Sequence, residues 1–216
     1  MLKCVSSMLS LLHHHHCRMI LCLLPSNNTV AMIQNHEGVT NHMNERILVT
    51  YASEFGSTAA VAEAIGDALR TAGSIVDVQP VLGVSNINIY KALIIGSAIY
   101  NGTWLPEAVH FVEFHAAELK RIPVAYFAVC ATVRNNTPEN RHAAHTFFDQ
   151  VLTKVPQIQP VDLGVFAGQI DTTKLSPLVR LRMLLTTKLR HGDYRDWDAI
   201  RAWATALRPA LIRSAT

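Results

Sequence analysis

The sequence predicts an α/β protein built on an open parallel sheet with helices on both faces. Short apolar runs recur along the chain from Arg46 onward, namely Ile47–Tyr51, Ile75–Val81, Ala92–Ser97, Val124–Cys130 and Val161–Ala167. Most of them are continuously apolar and do not alternate with polar residues, the pattern of strands covered on both faces. The segments between them place apolar residues at helical spacing, and strictly alternating strands and helices imply parallel pairing through right-handed crossovers.

Each helical segment carries its own signals. Val61, Ile65 and Leu69 share one face, and Gly73 follows as a stop. Val109, Val112, Ala116 and Leu119 share another, after Pro106 at a first-turn position. Ala144, Phe147 and Val151 form a third stripe. The series Trp197, Ile200, Ala204, Leu207 and Leu211 forms a fourth, with Asp196 as its expected N-cap.

Half of the 216 residues are hydrophobic and 16% are charged, a globular composition sufficient for one well-buried domain. The formal net charge is +3, and no dense Lys/Arg stripe with interleaved aromatics appears, which argues against nucleic acid. Residues 1–42 differ in character and are read as a disordered or non-native extension, with the domain spanning 43–216. Met43 is a possible true start just before the first strand. The apolar runs in the extension are interrupted by His13–His16 and Arg18, so none reaches the ~20 residues that span a bilayer. The His run with Cys17 and Cys22 has no completing ligand set downstream, and metal binding is not expected. Cys130 is the remaining cysteine of the domain, consistent with a reduced, cytoplasmic setting.

In open parallel sheets, ligands sit beyond the carboxyl ends of the strands at the topological switch point. The first such loop reads Ser53-Glu54-Phe55-Gly56-Ser57-Thr58 and leads directly into a helix. Its hydroxyls, with Gly56 allowing close backbone approach, make a cradle for a phosphate at a helix N-terminus. The Lys of a nucleoside-triphosphate loop and the three glycines of a dinucleotide fingerprint are both missing, so a single phosphate is the expected ligand. The third strand ends in Gly96-Ser97-Ala98-Ile99-Tyr100-Asn101-Gly102-Thr103-Trp104. Small residues there leave room for a flat ring, and Tyr100 and Trp104 offer surfaces to stack on it. The fourth strand delivers Cys130-Ala131-Thr132-Val133-Arg134 to the same edge, with Cys130 read as a packing residue.

Ser53 to Thr58 resembles the phosphate loop of flavodoxins. The run Gly96–Gly102, the Ala167-Gly168 pair and the segment Tyr194-Arg195-Asp196-Trp197 are similar to the menaquinone-dependent protoporphyrinogen oxidases, flavodoxin-like enzymes of haem synthesis. The resemblance covers roughly Arg46 to Leu211. Glu54 and Phe55, and the stretch between Gly168 and Gly192, depart from it. It implies a five-stranded sheet of order 2-1-3-4-5 and flavin mononucleotide (FMN) as cofactor. The FMN contacts would come from Ser53, Glu54, Phe55, Gly56, Ser57, Thr58, Ser97, Ala98, Ile99, Tyr100, Asn101, Gly102, Trp104, Cys130, Ala131, Thr132 and Arg134. A porphyrin precursor and a quinone would be its reaction partners.

From Thr172 to Gly192 the chain carries Lys174, Arg180, Arg182, Lys188 and Arg190 and no acid. Ser176-Pro177 and Gly192 bracket an amphipathic helical pattern. Residues 176–191 can therefore contact an anionic membrane surface, each cation adding about 1 kcal/mol, or bind anionic propionates. Packing on the sheet with solvated charges is the competing reading. His110, His115, His142 and His145 read as surface residues, and no pair is required as a general base. Three functions compete: an FMN oxidoreductase, an electron-carrier flavodoxin, and an interaction module that keeps only the fold. Carriers of this type are typically acidic. Removing Lys3, Arg18 and Glu37 from the totals of 19 basic and 16 acidic residues leaves this domain at +2, which places the enzyme first.

Overall fold

A computed structural model describes residues 46–171 and 191–212. The extension 1–42 and the basic residues Arg180, Arg182, Lys188 and Arg190 lie outside the described residues.

Arg46–Ala52 (β1), Ile75–Pro80 (β2), Ala92–Tyr100 (β3), Val124–Cys130 (β5) and Leu163–Ala167 (β6) run parallel in the order β2-β1-β3-β5-β6. Thr103–Trp104 (β4) folds back antiparallel on β3. Counted along the five predicted runs, the parallel order is the expected 2-1-3-4-5. The fifth strand begins at Leu163 and not at Val161, because Val161 is exposed and the Asp162 carboxylate accepts from the Leu163 N–H (2.8 Å).

Alternate residues face opposite layers, as the pleat requires. Ile47, Val49, Ile94 and Phe127 point to the layer formed by Ser57–Thr71 (α1) and Trp197–Leu211 (α6). Leu48, Leu93, Ile95 and Tyr126 point to the layer formed by Pro106–Phe114 (α2), Ala116–Leu119 (α3) and Asp149–Lys154 (α5). Each of these aliphatic and aromatic side chains is fully buried, worth roughly 1.5–3 kcal/mol apiece relative to exposure. The expected stripes Val61/Ile65/Leu69 and Ile200/Ala204/Leu207/Leu211 are the buried faces of α1 and α6. The Asp196 side chain caps α6 by accepting from the Ala199 N–H (3.0 Å).

Two predicted helices are each broken in two. The chain turns at His115, whose carbonyl accepts from both Glu118 and Leu119, and this separates α2 from α3. The break seats the His115 ring against Phe111 and Phe114, with centroids 4.7 and 4.9 Å away. His115 is thus half-buried, contrary to its reading as a surface residue, and burial pushes its pKa down. His110, His142 and His145 are exposed, as expected. The stripe through Ala144 and Val151 is divided into Pro138–His145 (α4), a 3₁₀ turn at Thr146–Phe148, and α5. The turn delivers Phe148 to the core.

Candidate functional site

The loop between β1 and α1 is closed by its own first hydroxyl. Ser53 Oγ accepts the Gly56 N–H at 3.0 Å, and Gly56 adopts φ 88°, a left-handed conformation that an L side chain strains to reach. Helix α1 then starts at Ser57 with no side-chain cap and no acid in its first turn, and the first helical donor is Ala60 N to Gly56 O (3.2 Å). The N–H groups ahead of Ala60 have no intrahelical acceptor and carry the positive end of the helix dipole. Ser57 Oγ in turn accepts the N–H of Gln169, 2.8 Å away, from the turn that follows β6. A hydroxyl that accepts an amide hydrogen keeps its own proton. Ser53 and Ser57 therefore each retain a donor, and no acceptor among the described residues takes either one. Glu54 and Phe55 are exposed at the loop tip, and Thr58 lies on the buried face of α1. Two hydroxyl donors beside an uncapped helix start suit a phosphate dianion.

The loop after β3 is a tight hairpin. Asn101 (φ 51°) and Gly102 (φ 80°) form its two central residues, the Asn-Gly combination that left-handed two-residue hairpin turns favour. Ser97 is buried, and its hydroxyl donates to Ala98 O (2.8 Å) while accepting from Leu105 N (2.9 Å). That side chain fixes the base of the hairpin, and its one proton is committed to Ala98 O. Ala98 and Ile99 are half-buried, and Tyr100 is 54% exposed at the tip.

Trp104 requires a correction. Expected to stack on a ligand, it is 1% exposed and packs edge-on against Tyr126 and Phe148, each 5.8 Å between ring centroids. Its backbone N–H donates to Gln150 Oε1 (2.9 Å), so both ends of the residue are committed to the core. The space at Gly96 is likewise taken: a Cβ there would sit 2.0 Å from Phe127 Cζ. The glycine serves strand packing and not a flat ligand.

After β5, Cys130 is buried, and burial pushes its thiol pKa up, so it is a packing residue as expected. Ala131 and Thr132 are half-buried, and a 3₁₀ turn spans Thr132–Arg134. Arg134 lines a cavity of about 330 Å³ beside β6, together with Arg141, Tyr194 and Trp203. Neither of the two ligand-edge loops, 97–104 and 130–137, contains an Asp or Glu.

A model of the flavodoxin domain matches residues 48–196, the stretch that contains all three of these loops. The chain belongs to the flavodoxin family. It is 25% identical over 176 residues to a protoporphyrinogen IX dehydrogenase (quinone) of Leishmania major, covering 74% of this chain and 73% of that protein. It is 23% identical over 169 residues to the Escherichia coli K12 protein of the same name, covering 74% of this chain and 92% of that one. Among solved structures, a short-chain flavodoxin associated with a bacterial microcompartment superposes with a TM-score of 0.50 at 11% identity, covering 77% of this chain and 99% of that one.

For this flavodoxin-family chain, sequence reasoning gave no site role to Gln169, Asp193 and Arg195, although Arg195 lies in the Tyr194–Trp197 segment that carries the resemblance. Gln169–Ile170 (β7) and Gly192–Asp193 (β8) pair antiparallel just beyond β6. The Arg195 guanidinium donates to both Asp193 carboxylate oxygens and to Gln169 Oε1 (3.2 Å), and it stacks 4.4 Å over the Trp197 ring. Arg195 holds the Asp193 carboxyl below the usual carboxylate range. Gly168-Gln169 directly after an apolar run was the available signal, yet nothing local places it against Ser57. Among the described residues no cluster of His, Cys, Asp and Glu is arranged to hold a metal, and no helix is long and apolar enough to cross a membrane.

Proposed function

We propose that this chain binds FMN and is an oxidoreductase acting on protoporphyrinogen IX, a porphyrin precursor of haem synthesis, with a quinone such as menaquinone as electron acceptor. The observation that carries the FMN assignment is the pair of serine hydroxyls, Ser53 and Ser57, beside the uncapped start of α1. They would hold the phosphate, while the loops 97–104 and 130–137 flank the ring, with Tyr100 as the exposed aromatic of the first. FMN, when bound, supplies the electron-accepting chemistry. The chain's own residues would orient it. The names of the two relatives support the substrate and the acceptor.

The family also includes electron carriers, the second reading, and a potential separates the two. Acidic residues around a flavin make the addition of negative charge harder and lower its potential. The two flanking loops here hold no Asp or Glu, and the second holds Arg134. The midpoint potential of the bound flavin is therefore expected to be less negative than that of an acidic carrier, by about 30 mV for each tenfold change in the two-electron equilibrium. The test is a redox titration of the purified yellow protein, run beside an assay of protoporphyrinogen oxidation with a soluble menaquinone analogue. A potential as low as an acidic carrier's, with no turnover, would restore the carrier reading.

Residues 176–191 supply the membrane contact in this proposal, at the cytoplasmic face where a quinone is reached. The protein is expected to sediment with vesicles containing anionic lipid and to be released by salt, because surface attraction is screened within a Debye length. Changing Arg180, Arg182 and Lys188 to Gln should abolish sedimentation and leave FMN bound. Equal sedimentation with neutral vesicles would remove the electrostatic basis.

A further inference from the structure

We propose that Arg195 is a positioning residue for the phosphate loop, acting through Gln169 on the Ser57 hydroxyl; the inference rests on the FMN reading above. The chain of contacts is continuous. Ser57 Oγ accepts the Gln169 N–H at 2.8 Å. The Gln169 side-chain oxygen accepts from Arg195 Nη2 at 3.2 Å. Arg195 is itself fixed by Asp193, with Nε to Oδ1 at 2.7 Å and Nη2 to Oδ2 at 2.5 Å, and by the face of Trp197. Its side chain is 11% exposed and that of Asp193 41%, so the guanidinium is packed while the carboxylate reaches solvent.

The two loops also touch sterically. A Cβ on Gly168 would meet Ser57 Oγ and Val129 Cγ1, each at 3.0 Å. The Tyr194 N–H donates to Gly168 O (3.3 Å) and joins the strand end to the segment that carries Arg195. The start of α6 is thereby braced against the start of α1.

What the brace does follows from the chemistry of a serine hydroxyl. A serine at the first position of a helix has three staggered side-chain wells open to it. Accepting the Gln169 N–H selects one of them and turns the hydroxyl proton into the donor left for a phosphate oxygen. The planar guanidinium is suited to this task because its donors are set in a rigid fork. One edge grips Asp193 while Nη2 also reaches Gln169. A lysine ammonium at the same place keeps the charge and loses the geometry.

The test compares binding of FMN and of riboflavin, which lacks the phosphate, to apoprotein. Arg195→Gln and Arg195→Lys are both expected to weaken FMN about tenfold or more, the loss of one well-placed donor to a charged group, and to leave riboflavin unchanged. In a Ser57→Ala background, Arg195→Gln should have no further effect on FMN. Gln169→Ala cuts the same link at an exposed residue and should reproduce the loss, which keeps the test open if an Arg195 variant does not fold. Retention of FMN affinity by Arg195→Lys would overturn the proposal in favour of simple charge attraction. Equal losses for FMN and riboflavin, or additive effects of Arg195→Gln and Ser57→Ala, would overturn it too. Wild-type apoprotein that bound neither ligand would instead overturn the FMN reading, and this inference with it.

Discussion

Replacing Trp104 with alanine is expected to destabilise the fold by about 3–5 kcal/mol, the usual loss when a buried tryptophan is emptied to a cavity. The ring is closed in by Tyr126 and Phe148, and neither neighbour can fill the space without leaving its own packing site. Trp104→Phe should lose much less, because Trp104 Nε1 has no hydrogen-bond partner among the described residues and no bond is broken by its removal. Denaturant melts of the two variants give these values directly. FMN affinity measured on Trp104→Phe, under conditions where it is fully folded, should equal that of the wild type. A folded Trp104→Phe protein that had lost FMN would return the residue to the ligand site and contradict its burial.

The second large effect concerns the cradle. Ser53→Ala with Ser57→Ala removes both hydroxyl donors beside the start of α1. Each hydrogen bond to a charged phosphate is worth roughly 1.5–3 kcal/mol, so the pair should weaken FMN by about a hundredfold to ten-thousandfold. The double change also removes the acceptors of the Gly56 and Gln169 N–H groups, about 0.5–1.5 kcal/mol each, so affinity is measured under conditions where the variant is fully folded. Fluorescence titration of apoprotein with FMN measures the loss. An unaltered dissociation constant would mean that the phosphate is held elsewhere.

Much of the architecture was legible because burial on both faces writes itself into the sequence as unbroken apolar runs. Ala92–Ile95 and Val124–Cys130 have no polar residue to confuse the period, and both are strands where expected. The phosphate loop was legible for a similar local reason: Gly56 with Ser57 directly precedes the Val61/Ile65/Leu69 stripe, so the turn and the helix start announce each other. The aromatic at the next loop was not. Asn101-Gly102 contains the hairpin turn, but the sequence alone does not say that Trp104 pairs with Ile99 and turns into the core. An exposed stacking tryptophan and a buried core tryptophan have the same letter, and only the partners Tyr126 and Phe148, far along the chain, decide between them. The broken helices failed for a different reason. The stripe through Val109 and Leu119 continues across His115 although the backbone does not, because side chains on both pieces still face one core. Gln169 was invisible because its contact with Ser57 joins residues 112 positions apart.

The pairing of Gln169 with Asp193 and of Ile170 with Gly192 has a bearing on how this protein can change over generations. Those two short strands set Asp171 and His191 side by side, with carboxylate and imidazole 3.8 Å apart. Between two points held together in this way, each doubling of a loop's length costs as a general rule only about 0.6 kcal/mol of closure entropy. Changes of chain length between these two points therefore carry a small closure cost, while Gln169 and Arg195 on either side are constrained by Ser57 and Trp197. Variation among relatives is therefore expected to be least at Gly168, Gln169, Asp193 and Arg195. A lineage can thus change the length of chain between the two short strands without redesigning the sheet that carries them.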